Sequence, residues 1–348
     1  MDRVIRVLVV DDSAYVRKVI KQMLSRSPFI EVVGAARDGA EALELVEQLK
    51  PDVVTCDLIM AEMDGISFLR EQMARRPLPV LIVSIANESG ELALAALDAG
   101  AIDFVQKPTA LATEKIFEVS EELIEKVKAA ASVSMRHLER IPAQVAVRPR
   151  APDLARRGGL ADIVVVGVST GGPQALKYLI PQLPRDLGVP MAVVIHMPIG
   201  YTEMYARKLG EVSEVRVEEA REGQVLEPGS VLIAPGGRHL SLVRQDGGRV
   251  CAHLDMRPFD TPHRPSVDVL FQSAAETFGQ RTLGVILTGM GSDGRQGAAW
   301  VKSQGGMVFT EAEETCIVYG MPSSVVEAGL SDRSVRLDRI AEAILEVV

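Results

Sequence analysis

The chain has 348 residues, of which 47% are hydrophobic and 24% charged, and its formal net charge is −9. This length exceeds what one hydrophobic core usually supports, so we expect two domains. The hydrophobic content argues against a largely disordered chain. An acidic chain argues against a nucleic-acid partner, and no segment is long and apolar enough to predict membrane insertion. The N-terminus lacks a signal-like apolar stretch, so we expect a cytoplasmic protein.

Short β-branched runs alternate with helical patterns over the first part of the chain. The predicted strands are 5–10, 32–35, 53–56, 80–83 and 104–106, and the predicted helices between them are 14–25, 39–49, 66–75 and 92–99. Strands that read as continuous apolar runs are typical of a parallel sheet covered on both faces. The order predicts a (βα)₅ flavodoxin-like domain.

Two different sequence patterns follow this domain. Residues 115–140 show a helical pattern, and residues 141–159 are rich in Pro, Arg, Ala and Gly without periodicity, which is typical of a linker. We therefore predict a first domain at 1–122, a helix and linker at 123–160, and a second domain at 161–348.

The second domain repeats the alternation of strands and helices. Its predicted strands are 163–166, 191–195, 230–234, 283–287 and 307–309. Residues 240–243 and 249–252 form a predicted hairpin around Asp246-Gly247-Gly248, because the glycines supply the positive φ that a tight turn needs. The pattern indicates a doubly wound, mostly parallel α/β sheet with an antiparallel hairpin.

Five polar residues follow or end the predicted strands of the first domain. Asp11 and Asp12 follow the first strand, Asp57 ends the third, Ser84 ends the fourth and Lys107 follows the fifth. Strand-end acids taken singly are usually solvated loop residues. Three carboxylates that converge on one edge would instead repel one another unless a divalent cation lay among them, and oxygen ligands suit Mg²⁺.

These positions, together with the segment Asp-Leu-Ile-Met-Ala-Glu-Met-Asp-Gly that begins at Asp57, closely resemble the response-regulator receiver family. The resemblance implies that Asp57 accepts a phosphoryl group from a histidine kinase. It also implies that Asp11 and Asp12 help to hold Mg²⁺ with Asp57 and a backbone carbonyl near Ile59. Ser84 and Lys107 would bind the phosphoryl oxygens.

The chain departs from that family's pattern at two positions. Ala61 stands where the family commonly has proline, and Phe104 lacks the hydroxyl that many receivers carry at this position. Neither departure removes the chemistry, and both bear on the energetics of switching.

The segment 167–173, Gly-Val-Ser-Thr-Gly-Gly-Pro, lies between a predicted strand and a predicted helix. A serine on such a turn is well placed as a nucleophile, because the helix N-terminus offers N–H groups to a developing oxyanion. The same turn also suits a phosphate cradle or a plain strand-to-helix connection. The motif alone leaves all three interpretations open.

Two further residues favour the nucleophile. His196 ends the next strand, and Asp293 lies in the loop after the strand 283–287, so both are expected at the same edge as Ser169. Serine, histidine and aspartate are the nucleophile, the general base and the orienting carboxylate of acyl-transfer enzymes. Their chain order differs from the Ser, acid, His order of common α/β-hydrolases.

Several motifs of this half closely resemble the family of chemotaxis protein-glutamate methylesterases, which are also glutaminyl deamidases. They are Gly-Val-Ser-Thr-Gly-Gly at 167–172, Ile-His-Met at 195–197, Ala-Pro-Gly-Gly-Arg-His at 234–239, His-Arg-Pro-Ser-Val-Asp at 263–268, Thr-Gly-Met-Gly-Ser-Asp-Gly at 288–294 and Val-Tyr-Gly-Met-Pro at 318–322. From this likeness we expect His239, His263 and Asp268 to shape loops or position the substrate.

The resemblance implies a role for each candidate residue. Ser169 would attack the side-chain carbonyl of a receptor glutamate methyl ester or glutamine, His196 would move the proton, and Asp293 would orient the imidazole. Backbone N–H groups near Met290 and Thr170 would form the oxyanion hole.

We therefore predict a phosphorylation-activated hydrolase that demethylates and deamidates methyl-accepting chemoreceptors. Its expected partners are those receptors and a chemotaxis histidine kinase, with Mg²⁺ in the receiver and no cofactor for the esterase. The alternative is a non-catalytic signalling adaptor whose second domain binds a ligand at the glycine-rich turn.

Overall fold

A computed structural model describes residues 3–84, 90–107, 113–133 and 159–348, with the backbone alone for residues 113–118. The chain divides into two compact units, Met1–Arg140 and Ile141–Val348, which are described separately. None of the helices in the described ranges is long and apolar enough to cross a membrane.

The first unit is a five-stranded parallel sheet with the order β2-β1-β3-β4-β5. Its strands are β1 Ile5–Val10, β2 Ile30–Ala36, β3 Val53–Cys56, β4 Val80–Ser84 and β5 Asp103–Gln106. Its helices are α1 Ala14–Leu24, α2 Gly39–Leu49, α3 Gly65–Arg75, α4 Gly90–Asp98 and α5 Thr113–Ser132. The predicted (βα)₅ order is confirmed.

Local sequence explains where these elements begin. Ser13, Asp38 and Asp64 precede α1, α2 and α3, and the side chain of each accepts a backbone N–H from the first turn of its helix. Such caps satisfy donors that have no partner inside the helix. The central strands β3 and β4 are buried along their whole length, as their unbroken apolar runs predict.

The predicted linker at 141–159 lies outside the described residues except for Gly159. The helical pattern that was predicted from residue 115 corresponds to α5, which ends at Ser132. The part of that pattern from residue 134 to residue 140 also lies outside the described residues.

The second unit contains a seven-stranded parallel sheet with the order β14-β13-β12-β6-β7-β9-β8. Its strands are β6 Ile163–Val168, β7 Met191–Ile195, β8 Arg216–Glu219, β9 Ser230–Ile233, β12 Thr282–Ile286, β13 Met307–Glu311 and β14 Arg333–Val335. The hairpin strands β10 His239–Arg244 and β11 Val250–Asp255 pair antiparallel. The mostly parallel sheet with its hairpin is confirmed.

The helices of the second unit cover this sheet. They are α6 Gly172–Leu179, α7 Thr202–Glu211, α8 Val267–Phe278, α9 Arg295–Ser303, α10 Met321–Glu327 and α11 Leu337–Leu345. Phe271 of α8 is fully buried in a core that also takes in apolar residues of the hairpin. The hairpin therefore packs through α8 onto the main sheet.

The strand order places a crevice at the carboxyl end of β6. The next strand in the chain, β7, pairs with one side of β6, and β12 pairs with the other side. Ligand sites of open α/β sheets lie at such a reversal of strand order. The loops after β6, β7 and β12 are therefore the first place to look for a site.

Candidate active site

Ser169 lies on a tight turn directly after β6. Its backbone N–H donates to the carbonyl of Thr288 at 3.1 Å, and its carbonyl accepts the N–H of Gly172 at 2.7 Å. Gly171, which precedes α6, has a φ of +79°, a conformation that side chains disfavour. Ser169 is partly exposed at the carboxyl edge of the sheet.

The loop after β12 runs directly behind this serine. A Cβ on Gly289 would lie 2.9 Å from the Cβ of Ser169 and 3.0 Å from its backbone nitrogen. Only glycine allows that approach without moving the serine. The motif Thr-Gly-Met-Gly at 288–291 therefore supports the turn on which Ser169 lies.

His196 follows β7 beside the serine. Val168 and Ile195 pair in register, and the N–H of His196 donates to the carbonyl of Val168 at 3.2 Å. Its Nε2 lies 2.8 Å from Oδ2 of Asp293. The other ring nitrogen, Nδ1, is buried and has no hydrogen-bond partner within the described part of the chain.

The hydrogen bond to Asp293 sets the proton positions of this ring. An ionised carboxylate only accepts hydrogen bonds, so the neutral imidazole carries its proton on Nε2 and leaves Nδ1 as an acceptor. His196 can therefore receive a proton at Nδ1 while Asp293 stabilises the resulting cation at Nε2.

Asp293 lies at the N-terminus of α8 and is held as a carboxylate. Its oxygens accept the N–H of Val267 at 2.8 Å, the N–H of Asp268 at 3.0 Å and the hydroxyl of Ser266 at 2.9 Å, besides the bond to His196. Burial opposes ionisation, yet the bonds from His196 and the helix amides hold the pKa of Asp293 below its usual range. The sequence did not identify the Ser266 hydroxyl or the two amides.

Asp268, which lies in α8, in turn contacts the N-terminus of α9. Its Oδ1 accepts the N–H of Gly294 at 2.9 Å and that of Gly297 at 2.7 Å, which caps α9. Burial, with a further contribution from the Asp293 charge, raises the pKa of Asp268 to about 6. The prediction that Asp268 shapes a loop stays a prediction.

Two other histidines approach this site. His239 is buried, its Nδ1 accepts the N–H of Ser266 at 3.2 Å, and its Nε2 lies 3.1 Å from the carbonyl of Pro258. Burial lowers its pKa, which favours the neutral ring that these two bonds require. The His263 ring stacks on His196, with centroids 4.2 Å apart and an interplanar angle of 26°.

The two predicted oxyanion donors differ in their surroundings. Thr170 is buried, and its carbonyl accepts the Thr288 hydroxyl at 3.0 Å. Met290 follows Gly289 and is partly exposed, and within the described ranges its N–H donates no hydrogen bond. The Ser169 N–H is already bonded to Thr288, so it is not available to an oxyanion.

The acidic residues of the first unit meet at the reversal between β1 and β3. Oxygens of Asp11, Asp12 and Asp57 all lie within 4.8 Å of one another. The Lys107 Nζ lies 2.6 Å from Asp11 Oδ2 and 2.7 Å from Asp57 Oδ2. Burial opposes its charge, but these two carboxylates raise the pKa of Lys107 above its usual value. An all-oxygen donor set of this kind fits Mg²⁺.

Backbone contacts hold the phosphoacceptor candidate. Asp57 accepts the N–H of Leu58 at 2.8 Å, and a Cβ on Gly65 would collide with the Asp57 carbonyl. Ser84 is buried at the end of β4, and its carbonyl accepts the Lys107 N–H at 2.8 Å. The five receiver positions predicted from the sequence therefore lie at one edge of the sheet.

The fold and these two sites define a class: response regulators that carry an α/β output domain. Residues 7–118 match the response regulator receiver domain, and residues 164–344 match the CheB methylesterase family.

The chain is 49% identical over 336 residues to protein-glutamate methylesterase/protein-glutamine glutaminase 5 of Myxococcus xanthus, covering 96% of this chain and 95% of that one. It is 41% identical to the protein-glutamate methylesterase/protein-glutamine glutaminase of Pyrococcus horikoshii, covering 100% of this chain and 95% of that one. The crystal structure of the CheB methylesterase catalytic domain of Thermotoga maritima matches with 46% identity and a TM-score of 0.53, covering 54% of this chain and 99% of that one.

The chain belongs to the CheB methylesterase family, with a receiver domain at its N-terminal side, and it is a hydrolase. The predictions of the family, of the enzyme class and of a receiver domain joined to a methylesterase domain are confirmed. The alternative of a non-catalytic adaptor is not favoured.

Proposed function

We propose that this chain hydrolyses glutamate methyl esters and glutamine side-chain amides on methyl-accepting chemoreceptors, using Ser169 as nucleophile. Phosphorylation of Asp57 increases the rate. The observation that carries the assignment is the His196 ring, which is bonded to Asp293 at Nε2 and has an unpartnered Nδ1, on a residue whose backbone N–H bonds Val168, the neighbour of Ser169 in the chain.

In the first step the Ser169 Oγ attacks the side-chain carbonyl carbon of the substrate. His196 Nδ1 takes the hydroxyl proton as the carbon–oxygen bond forms, and the carbonyl oxygen becomes an oxyanion. When the tetrahedral intermediate collapses, the same nitrogen returns the proton to the leaving group. Methanol leaves from an ester and ammonia leaves from an amide, and the substrate remains as an acyl ester of Ser169.

Water completes the cycle. His196 takes a proton from water as the water oxygen attacks the acyl carbon, and it then protonates the departing Ser169 Oγ. The product is a free glutamate side chain. Asp293 stays ionised throughout and stabilises the imidazolium that forms in both halves of the reaction.

We assign the oxyanion hole to the N–H of Met290 with help from the N–H of Thr170. The Met290 amide supports this assignment because its N–H makes no other hydrogen bond within the described residues. One such donor contributes on the order of 10² to 10³ in rate. The acyl transfer uses only side chains and backbone amides of this chain, so we expect the esterase to require no cofactor.

In the receiver, Asp57 is the proposed phosphoryl acceptor, and Asp11, Asp12 and Asp57 would hold Mg²⁺. The ion would offset the charge of the carboxylates and of the incoming phosphoryl group. Lys107 lies against Asp57, so its ammonium is positioned to contact a phosphoryl oxygen there. Ser84 is the proposed hydroxyl partner of the same group. The phosphodonor is a chemotaxis histidine kinase, and the reaction takes place in the cytoplasm.

The test follows both conversions on one substrate. A receptor fragment that carries glutamine and methylated glutamate is incubated with the full chain, Mg²⁺ and a small-molecule phosphodonor, and peptide mass spectrometry scores each site. We expect both side chains to become glutamate with the wild type and to stay unchanged with Ser169→Ala. Conversion by Ser169→Ala at the wild-type rate would refute the assignment of the nucleophile.

A further inference from the structure

The end of β13 carries a buried acid that the reaction above does not use. The Glu311 side chain has no solvent exposure, and no ion pair to it exists among the residues that the structure describes. A buried carboxyl group without a cationic partner is costly to a fold. Its position at the carboxyl end of a strand that pairs with β12 brings it to the loop that supports the nucleophile.

Glu311 contacts that loop at Thr288. The Thr288 N–H donates to Glu311 Oε2 at 2.8 Å. The Thr288 carbonyl accepts the Ser169 N–H at 3.1 Å, and the Thr288 hydroxyl donates to the Thr170 carbonyl at 3.0 Å. The same hydroxyl accepts the Val318 N–H at 2.9 Å. Glu311 therefore holds a residue that bonds both Ser169 and Thr170.

The hydrogen bond between the Thr288 N–H and Glu311 does not depend on whether Glu311 is protonated. Burial raises its pKa to about 7, partly offset by the hydrogen bond from the Thr288 N–H. Both forms of a carboxyl group have an oxygen that accepts an N–H, so the bond to Thr288 persists whether the group is neutral or ionised. A glutamine at this position would present the same acceptor with nearly the same shape.

We propose that Glu311 is a positioning residue for the nucleophile: it fixes Thr288, and Thr288 fixes the backbone of Ser169 and Thr170. The inference rests on the proposed role of Ser169. Without the acceptor, the Thr288 N–H would be buried and unpaired, so the segment would shift to find another partner. A shift of that segment moves the Ser169 Oγ relative to His196 and moves the proposed oxyanion donors with it.

The experiment compares two replacements in the full chain under phosphodonor and Mg²⁺. Glu311→Leu removes the acceptor and keeps the apolar volume, whereas Glu311→Gln keeps the acceptor. We expect Glu311→Leu to lower kcat for methanol release by roughly 10- to 100-fold, the cost of a misplaced reacting group, with KM nearly unchanged. Glu311→Gln should restore kcat to near the wild-type value.

Thr310→Val is the matched control. Thr310 is equally buried one position earlier in the same strand, and its hydroxyl lies 2.9 Å from the Ser331 hydroxyl, away from the nucleophile turn. We expect this variant to keep kcat. If Glu311→Leu does not fold, Thr288→Val tests the same chain of contacts, since it removes the hydroxyl bond to Thr170 and should lower kcat without changing KM.

The outcomes separate this inference from the proposed function. A folded Glu311→Leu with wild-type kcat, or a Glu311→Gln that is as slow as Glu311→Leu, overturns the positioning role while Ser169→Ala remains inactive. Equal losses in Thr310→Val and Glu311→Leu would show a general effect of the strand and also overturn it. Activity in Ser169→Ala would instead refute the nucleophile itself.

Discussion

Asp293 and Asp268 hold the N-termini of each other's helices. Asp293, just before α9, accepts the N–H of Asp268 at 3.0 Å, and Asp268, in the first turn of α8, accepts the N–H of Gly294 at 2.9 Å. This reciprocal capping places a carboxyl group at the N-terminus of each helix, where its oxygens satisfy amide donors that have no partner inside the helix. One of the two carboxylates also bonds His196, so the caps orient the proposed general base.

The pH dependence of stability should reflect the cap made by Asp268. Its pKa is raised from 3.8 to about 6, so the stability that it contributes is fully present below about pH 4 and is lost as pH rises through 6. Asp268→Asn keeps an acceptor for Gly294 and Gly297 but cannot titrate. Between pH 4 and pH 6 the free energy of unfolding of the wild type should fall relative to that of the variant. Urea unfolding at both pH values measures this, and a constant difference between the two proteins would contradict it.

Replacing Asp293 with asparagine should damage catalysis far more than folding. The substituted side chain would keep one acceptor but lose the negative charge that stabilises the imidazolium, and its amide could favour the wrong tautomer of His196. We expect kcat for methanol release to fall on the order of 10⁴-fold, the scale of the loss when a triad aspartate is replaced by asparagine with the geometry intact. Asp186→Asn, at an exposed position, is the control. A loss of less than tenfold would argue against the orienting role.

Gly289→Ala tests the close packing behind the nucleophile. The added Cβ would lie too close to Met321 Sδ and 2.9 Å from Ser169 Cβ, so the packing around Ser169 must shift. We expect esterase activity to fall on the order of 100-fold, while phosphorylation of the receiver by a phosphodonor is unchanged. Gly188→Ala, where the added Cβ meets nothing within 4 Å, should keep full activity. Equal activities of these two variants would show that the serine tolerates displacement.

Asp57→Asn should abolish activation by the phosphodonor and leave the basal esterase activity unchanged. The variant keeps the shape of the acidic site but offers no carboxylate to accept a phosphoryl group. We expect its methanol release without phosphodonor to equal that of the unphosphorylated wild type, and we expect phosphodonor with Mg²⁺ to cause no increase. Stimulation of the variant to the wild-type level would place the phosphorylated residue elsewhere.

The sequence predicted the strands that form the core of the second sheet and missed those at its two edges. β6 and β7 are continuous apolar runs, and their buried patterns were recognised. β8 reads Arg-Val-Glu-Glu and β14 reads Arg-Ser-Val, and each pairs on one side only. Short edge strands with charged residues carry little hydrophobic periodicity, so nothing in the pattern separates them from loops.

The sequence predicted which residues would lie at the candidate site but not the atoms through which they make contact. Strand-end position made Ser169, His196 and Asp293 candidates, because parallel strands bring their carboxyl ends to one edge. The contacts that hold Asp293 come largely from backbone amides at the start of α8. Almost every residue has a backbone amide, so the residue types in the sequence do not indicate these contacts. Glu311 was missed because the strand was predicted to end at Phe309, and a single acid beyond a strand usually faces solvent.

The most direct test measures methanol release from methylated chemoreceptor membranes by the wild type and by Ser169→Ala, each with and without phosphodonor and Mg²⁺. We expect release by the wild type to rise with phosphodonor and release by Ser169→Ala to be absent under both conditions. Equal release by the two proteins would contradict Ser169 catalysis, and release by the wild type that ignores the phosphodonor would contradict control by the receiver.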